Sequence, residues 1–355
     1  MQQSSRWLNS WTRLAARLRA TSASERLASE EYQVRLASET QTYKDVEDIN
    51  ELPPIFHYWS NRYLRPMLEE FGCSNPDQFF AKYLLESAAR SSDDSPCFLS
   101  VGAGNCDTEV RVAQLMRSAG LHSFTIECLD MNPHMLKRGQ QMAQRENVAN
   151  HLTFSEGDFN KWTATRRYGG VMANQSLHHV LKLESLFDEI KRSLQEGCYF
   201  VASDIIGRNG HQRWPEALAE VQKFWQELPS GYRYNRQLRR QEDVFQDWDC
   251  SVEGFEGIRA QDVLPLLLER FKFKLFVGFA NVVDIFIDRS FGHNFDGDGS
   301  WDRSFVDRLH AFDEKAFAQG SITPTHMMAV MATQSASCVS SRGITPERSV
   351  RTPDD

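Results

Sequence analysis

The chain has 355 residues, of which 41% are hydrophobic and 25% charged, and its formal net charge is −8. This length allows one large domain with additions or two smaller domains, and the acidic balance argues against bulk nucleic acid as the main partner. No apolar run reaches the roughly 18 residues typical of a membrane-spanning helix. The seven cysteines form no C-x-x-C pair, which favours reduced thiols. We therefore expect a cytoplasmic protein without stable membrane insertion.

The first forty residues carry tryptophans and leucines at helical spacing, separated by arginines, with no acidic residue before Glu25. The apolar positions are Trp7, Trp11, Leu14 and Leu18. Such a basic amphipathic helix is typical of membrane-surface and organelle-targeting segments. The same spacing also serves packing on the chain's own domain or on a partner subunit, which allows a homodimer through the N-terminal helices.

From Cys97 onward, short apolar runs alternate with helical patterns, and this alternation predicts a parallel α/β sheet with crossover helices. Stretches that interrupt this alternation of strands and helices divide the chain into segments. We expect an N-terminal helical extension at 1–95, a core at 96–206, an aromatic-rich insertion forming a substrate lid at 207–256, a core helix and strand at 257–280, a second insertion with a helix at 281–324, a last core strand at 325–333 and a disordered tail at 334–355.

The most informative feature is a glycine turn that follows the first apolar strand. Gly102 and Gly104 let the backbone turn tightly with no side chain in the way, and Asp107 begins a helical pattern. Asp130 closes the second strand, where a carboxylate can accept both hydroxyls of a ribose. Asp158 follows the third strand, where it would face an adenine amino group. Together these residues predict a bound adenosyl cofactor at the carboxyl edge of the sheet.

In this order of motifs the sequence resembles the class I S-adenosylmethionine-dependent methyltransferases, over roughly Cys97 to Phe279 and the strand at 325–332. The matching segments are Val101–Gly104, Leu129–Met131, Gly157–Phe159 and Met172–His179. The resemblance implies a seven-stranded, mostly parallel Rossmann-like sheet that binds S-adenosyl-L-methionine. It also implies that the cofactor-binding residues are Gly102, Gly104, Asp130, Met131, Asp158, Phe159 and Asn174.

Two positions depart from the family pattern. Ser100 stands where many members have an acid before the first glycine, and Cys106 stands where many have a third glycine. Other interpretations of the motifs also remain open. Asp130 and Asp158 could be ordinary helix caps, and a dehydrogenase also places an acid after its second strand, although the spacing from Gly104 exceeds the usual interval of about twenty residues.

The reaction that the resemblance implies is the displacement of the sulfonium methyl group by a nucleophile on the acceptor, with release of S-adenosylhomocysteine. An acceptor hydroxyl needs its proton removed, and a base with a pKa near neutrality helps. His178 and His179 are the catalytic candidates, because they lie in the segment expected beside the methyl group. Further candidates are Asp204, His211 and His293.

Substrate choice is expected to depend on the insertions. The first insertion holds eight aromatic residues that could roof an enclosed pocket for an organic acceptor or build a small core of their own. They are Trp214, Phe224, Trp225, Tyr232, Tyr234, Phe245, Trp248 and Phe255. In the second insertion the acidic segment 292–302 matches a calcium loop poorly, and we expect instead a turn that caps the following helix. No metal site is expected.

These observations leave three hypotheses about function. The first is a methyltransferase acting on a small organic molecule, most simply at a hydroxyl oxygen, with nitrogen or carbon as alternatives. The second is a methyltransferase acting on RNA, protein or a carrier-bound substrate. The segment at 174–177 lacks the D/N-P-P-Y/F pattern of base amino-group methylation, so no nucleic-acid partner is expected. The third is a non-catalytic partner subunit that binds the cofactor.

Overall fold

The computed structural model describes residues 30–38, 41, 51–252 and 254–353. The basic helix predicted around residues 7–18 lies outside the described residues. A short helix, α1, spans 30–38. In the described part of the chain, no helix has the length and apolar character that crossing a bilayer requires.

A central sheet of eight strands organises the molecule. The strands are β1 Cys97–Val101, β2 Thr125–Asp130, β3 Leu152–Glu156, β4 Gly170–Asn174, β5 Tyr199–Ile205, β8 Lys272–Phe279, β9 His326–Ala332 and β10 Val339–Ser340; a separate small hairpin comprises β6 Tyr234–Asn235 and β7 Arg240–Gln241. The strand order is β10-β8-β9-β5-β4-β1-β2-β3. β9 is antiparallel to both of its neighbours, and the other pairs in this sheet are parallel. The sequence thus predicted the fold class and the seven principal strands.

Helices cover both faces of the sheet. They are α2 Pro54–Trp59, α3 Arg65–Glu69, α4 Pro76–Ala88, α5 Asp107–Ser118, α6 Pro133–Arg145, α7 Leu183–Ser193, α8 Pro215–Glu227, α9 Ala260–Arg270, α10 Val282–Ile287 and α11 Ser300–Gln319, with a π-helical turn Ser60–Leu64 joining α2 to α3. Because helices bury both faces, the central strands are continuously apolar rather than alternating. In β1, for example, Phe98, Leu99 and Val101 are all fully buried.

The loops at the carboxyl ends of β1, β2, β4 and β5 meet at one edge of the sheet. The backbone there is unusual, since Gln175, His211 and Ala280 all adopt positive φ angles between 53° and 55°. A left-handed conformation costs a non-glycine residue about 1–2 kcal/mol. Such strain persists where surrounding contacts impose it, and it is concentrated at functional sites.

The expectation that residues 334–355 are disordered is wrong for most of this segment. β10 adds an eighth strand to the sheet beside β8. Arg342 donates to Glu314 at 2.6 Å, and Arg351 donates to Glu216 at 3.0 Å. The segment has few apolar residues with which to form a core of its own. It is ordered instead by strand pairing and ion pairs with the rest of the domain.

The aromatic residues of the first insertion mostly build a core of their own. Trp225 is fully buried and packs against Phe245, Phe286 and Phe291, with ring centroids 4.8 to 6.0 Å apart. Of the eight aromatic residues predicted to roof a pocket, Phe255 alone lines the cavity described below. The second insertion supplies Phe286 and Phe291, so the two insertions pack together as one layer.

The acidic segment 292–302 forms a turn before a helix, as expected, but the expected cap is wrong. The Asp302 carboxylate accepts the backbone N–H of Asp296, and the Asp296 carboxylate accepts that of Asp298. The helix α11 begins at Ser300, and its N-cap residue, Gly299, has no side chain that could accept a backbone N–H. The aspartates therefore stabilise the turn itself.

Candidate active site

The glycine turn after β1 is held between β2 and the turn that follows β4. Gly102 and Ala103 both donate their backbone N–H to the Leu129 carbonyl, at 2.9 and 3.1 Å. Gly102 has a φ of +67°, and a Cβ at this position would lie 2.5 Å from the Cβ of Ser176. Ser176 in turn donates its hydroxyl to the Val101 carbonyl at 2.7 Å. Only glycine fits this contact, so the turn presents bare backbone to the neighbouring cavity.

Asp130 closes β2 directly beside this turn. Its Oδ2 accepts the backbone N–H of Gly104 at 2.8 Å, and its Oδ1 accepts that of Asn132 at 2.8 Å. The carboxylate is largely buried, and it lines the cavity together with Met131 and Phe159. Asp130 is therefore more than a helix cap, because Asn132 provides the cap of α6 through its own side chain.

The missing acid at Ser100 is replaced by an acid from the next helix. Ser100 donates its hydroxyl to Oε1 of Glu109 at 2.6 Å, and Glu109 lies on the first turn of α5. Burial raises the pKa of Glu109 to about 7, against the lowering effect of the Ser100 hydrogen bond. Glu109 lines the cavity, so a carboxyl group reaches this region by a route that the sequence motif did not reveal.

The second departure from the family pattern, Cys106 in place of a third glycine, is compensated by a glycine on the facing helix α6. Cys106 is buried and has a φ of 59°. A Cβ on Gly139 of α6 would lie 2.7 Å from the Cys106 sulfur and 2.9 Å from its Cβ. The glycine that the family places in the turn is thus replaced by one on α6, and α5 and α6 still pack closely.

Asp158 lies beneath the N-terminal helix α1. Tyr32 donates its hydroxyl to Oδ1 of Asp158 at 2.7 Å, and Arg35 donates to the carbonyls of Ser251 and Gly254 at 2.9 and 2.7 Å. The other carboxylate oxygen, Oδ2, is buried and forms no hydrogen bond with a described residue, although Lys161 Nζ lies 3.3 Å away. Helix α1 therefore packs on its own domain, where it bridges the loop that follows β3 and the first insertion.

His178 is fixed by a buried carboxylate at the end of β5. Asp204 is fully buried and accepts the backbone N–H groups of Ser176, Leu177 and His178, at 2.9, 2.7 and 3.2 Å. Its Oδ1 lies 2.7 Å from Nδ1 of His178. Burial alone would raise the pKa of Asp204, but the His178 imidazole and these donors bring that pKa below its ordinary value. Nδ1 therefore carries a proton, and the second ring nitrogen, Nε2, points to the cavity side.

A second carboxylate, Glu256, lies among three histidines. Its Oε1 is 3.2 Å from Nε2 of His178 and 3.2 Å from Nε2 of His211, and its Oε2 is 3.4 Å from Nε2 of His179. Burial would lower the pKa of His178, but Asp204 and Glu256 raise it to about 10. At His211 the effect of burial exceeds the raising effects of Glu256 and Asp284, and its pKa is lowered to about 4.

A further charged group, formed by Arg213, Asp284 and His326, also lines the cavity. Arg213 donates to Oδ2 of Asp284 at 2.5 Å, and Nε2 of His326 lies 3.8 Å from Oδ1 of the same carboxylate. The arginine side chain is almost fully buried. Burial would raise the pKa of Asp284, but His326 and Arg213 lower it.

One continuous cavity of about 1130 Å³ joins these groups. Most of the residues predicted from the sequence line it, namely Gly102, Gly104, Asp130, Met131, Phe159, Asn174, His178 and His179. His211 and His293 line it as well, whereas Asp158 does not. The structure thus brings the predicted cofactor motifs and the predicted histidines to one space.

Sequence reasoning missed Glu109, Glu256, Asp284 and His326. Glu256 and Asp284 follow no motif, since each lies in an insertion whose path the sequence did not reveal. His326 had a usable signal, because it is a polar residue that begins an otherwise apolar strand. As β9 is antiparallel to β5 and pairs His326 with Ile205, the start of β9 lies at the edge where the parallel strands end.

Comparison with known proteins identifies one domain of the chain. Residues 93–248 match the family model described as a methyltransferase domain. This part of the chain is therefore similar to a methyltransferase domain, in agreement with the family that the sequence motifs predicted. No curated protein matches the chain in sequence.

Solved structures with similar folds include two methyltransferases. One is the geranyl diphosphate C-methyltransferase from Streptomyces coelicolor A3(2), in complex with Mg²⁺, geranyl diphosphate and S-adenosyl-L-homocysteine. It has 9% identity and a TM-score of 0.41, over 72% of this chain and 77% of that chain. The other is the O-methyltransferase of a trans-AT PKS multienzyme of Brevibacillus brevis, in complex with S-adenosyl-L-homocysteine. It has 11% identity and a TM-score of 0.41, over 81% of this chain and 85% of that chain. At these scores we take neither substrate nor mechanism from them.

The residues around the glycine turn fit S-adenosylmethionine. Bare backbone at Gly102 and Gly104 lines the cavity beside the Asp130 carboxylate, which suits the hydroxyls of a ribose. Met131 and Phe159 supply apolar walls for an adenine ring. Asp158, which the sequence placed against the adenine amino group, does not line the cavity, because Tyr32 and Lys161 lie against its carboxylate.

Proposed function

We propose that the protein is an S-adenosylmethionine-dependent methyltransferase that acts on a small organic acceptor and methylates a hydroxyl oxygen. The observation that carries this proposal is the continuous cavity that joins the cofactor motifs to the histidine cluster. Its volume of about 1130 Å³ exceeds the roughly 300–1,000 Å³ of common small-ligand sites. An acceptor therefore has room beside the cofactor.

The walls of the cavity favour an acceptor with an apolar skeleton. Besides Phe159 on the cofactor side, the aromatic side chains that line it are Phe56, Trp59, Phe255 and Phe279. A cluster of imidazole and carboxylate groups, with His178, His179 and Glu256, lies at the end of the cavity next to the carboxyl ends of β4 and β5. An acceptor hydroxyl directed to that end would meet imidazole and carboxylate groups, while the rest of the molecule packed on aromatic rings.

Bound S-adenosylmethionine would supply an electrophilic methyl group to the acceptor oxygen, with the S–C electron pair staying on the released S-adenosylhomocysteine and the hydroxyl proton passing to solvent water. His178 and His179 lie at the end of β4, where they can position the acceptor oxygen. The pKa of His178, raised to about 10, means that its imidazole keeps its proton at neutral pH in the cluster described here. We therefore assign His178 a positioning role.

The proposal is tested by incubating the purified chain with S-adenosylmethionine labelled in its methyl group and a pool of hydroxylated small molecules. We expect one or more metabolites to gain the mass of one labelled methyl group, with equimolar S-adenosylhomocysteine. Nuclear magnetic resonance of the labelled product then identifies the methylated atom. Label found only in protein or RNA fractions, or only on carbon or nitrogen, would overturn the proposal.

A further inference from the structure

Three potential metal ligands converge at the polar end of the cavity. The ring nitrogens of His178 and His211 and a carboxylate oxygen of Glu256 all lie within 4.8 Å of one another. Both histidine Nε2 atoms are 3.2 Å from the same oxygen, Oε1. Zinc–ligand distances of 2.0–2.1 Å in a tetrahedral site separate neighbouring ligand atoms by about 3.3 Å. The two measured separations therefore fit a shared cation.

A single proton leaves one nitrogen of this cluster without a hydrogen bond. A proton on His178 Nε2 bridges that nitrogen to Glu256, and the 3.2 Å contact qualifies as a hydrogen bond. His211 Nε2 lies equally close to the carboxylate but forms no hydrogen bond with a described residue, and the atom is buried. A buried nitrogen without a hydrogen bond destabilises the folded protein. A cation between the three groups would bind all of them at once.

The orientation of His178 is the one that a metal ligand needs. Histidines that bind a metal through one ring nitrogen commonly donate the other N–H to a carboxylate, which fixes the tautomer and the ring plane. Asp204 accepts that N–H at 2.7 Å, and its position is fixed by three backbone donors. The lone pair of Nε2 therefore faces Glu256 and His211. Without a cation, a proton on Nε2 takes this place against the Glu256 carboxylate.

The backbone also holds His211 in place. His211 has a φ of 55° and follows Gly210, whose N–H donates to the Gly257 carbonyl at 2.9 Å. A Cβ on Gly257 would lie 2.7 Å from the His211 ring. Glu256 and His211 are thus presented by two loops that are bonded to each other one residue away from each ligand.

We propose that His178, His211 and Glu256 bind one divalent transition-metal cation, with an open coordination position for the acceptor oxygen. Two imidazoles and a carboxylate are a ligand set known for catalytic zinc and for other first-row metals. Its role in methyl transfer rests on the function proposed above, whereas the binding itself rests on the cluster alone. An acceptor hydroxyl on the cation would release its proton to water more readily, because the positive charge stabilises the oxygen anion.

The test uses the full chain without an affinity tag, stripped with a chelator and titrated with Zn²⁺ by calorimetry. We expect one equivalent to bind. His211→Gln and Glu256→Gln should weaken Zn²⁺ binding by more than about 100-fold, since loss of a residue that only orients a ligand already costs about 10–100-fold. His293→Gln is the matched control, because His293 lines the cavity outside the cluster. It should bind Zn²⁺ like the wild type.

Binding of S-adenosylmethionine is measured in parallel on each variant, to show that the fold is intact. No stoichiometric Zn²⁺ binding by the wild type, or equal binding by the His211→Gln and His293→Gln variants, would overturn the metal site. If Zn²⁺ binds as expected but no hydroxyl compound is methylated, the metal site stands and the proposed acceptor class fails. If hydroxyl compounds are methylated equally well by the chelated and the zinc-loaded protein, the proposed role of the cation in catalysis is wrong.

Discussion

The cofactor side of the molecule, residues 97–174, and its acceptor side, residues 175–326, are assembled in different ways. On the cofactor side each key residue ends a strand or follows it at once, as Gly102 follows β1 and Asp130 ends β2. On the acceptor side, His178, His211 and Glu256 come from three loops, and the first and last are 78 residues apart. Local sequence motifs determine the key residues of the cofactor side, whereas the path of the insertions through the fold determines those of the acceptor side. The two sides should therefore respond independently to substitution.

The largest expected effect is on the cofactor side, from Asp130→Ala. Loss of a carboxylate that accepts two ribose hydroxyls should weaken S-adenosylmethionine binding by about 100-fold or more, because hydrogen bonds to charged groups contribute about 1.5–3 kcal/mol each. The Gly104 N–H would also lose its partner. Calorimetry with S-adenosylmethionine measures the change.

The same variant separates the two sides. Zn²⁺ binding by Asp130→Ala should match that of the wild type, since Asp130 contributes no group to the histidine cluster. Unchanged affinity for S-adenosylmethionine would contradict the assignment of Asp130. A parallel loss of Zn²⁺ binding would show that the two sides are coupled.

This difference in assembly also explains how much the sequence could predict. Gly102, Asp130 and His178 were predictable because the order of apolar runs places the ends of parallel strands at one edge. Glu256 was not, because it follows Phe255 in an irregular stretch of the first insertion and its neighbours in space are distant in sequence. Residues 339–353 were misjudged because composition reports a segment's own apolar content, whereas Ser340 and Arg342 are held by β8 and by Glu314.

The packing of α5 on α6 gives a second test, confined to the cofactor side. Gly139→Ala places a methyl group 2.7 Å from the Cys106 sulfur and should lower the free energy of unfolding by about 1–3 kcal/mol. Adding Cys106→Gly removes the sulfur and a non-glycine residue at positive φ, so the double variant should recover most of the loss. Denaturant unfolding of the two single variants and the double variant measures their coupling.

Additive effects of the two substitutions would contradict the compensation between Cys106 and Gly139. Gly231→Ala is a useful comparison, because Gly231, like Gly139, has no positive φ, but its Cβ would meet no atom within 4 Å. This substitution should leave the free energy of unfolding unchanged or raise it by about 0.4–1 kcal/mol. A larger cost for Gly139→Ala would then isolate the steric contact.

Glu109→Gln tests whether an acid from α5 replaces the one missing at Ser100. We expect S-adenosylmethionine to bind about tenfold more weakly, the effect of losing roughly 1.4 kcal/mol, if the carboxylate interacts with the cationic methionine part. Folding should not suffer. The pKa of Glu109 is raised to about 7, so stability falls as pH rises from about 4.5 towards 7, and the neutral amide avoids this loss.

Thermal unfolding at pH 8 should therefore show the Gln variant at least as stable as the wild type. Ser100→Ala is the companion variant, because it removes the hydrogen bond at 2.6 Å and leaves the carboxyl group. Unchanged cofactor affinity in Glu109→Gln would mean that this carboxyl group serves packing on the cofactor side and binds no ligand.

The smallest expected effect is an acid sensitivity of the acceptor side. His310 of α11 stacks on Tyr63 at 3.7 Å, and burial together with Arg342 lowers its pKa to about 4. The unfolded chain takes up a proton near pH 6.5, whereas the folded chain resists it, so stability present above pH 6.5 is lost as pH falls towards 4. His310→Phe keeps an aromatic ring at this position and should reduce the fall of the melting temperature between pH 6.5 and 4, whereas the part that His211 contributes remains. His122→Gln, at an exposed position, serves as the control, and an unaltered slope in His310→Phe would place the acid sensitivity elsewhere.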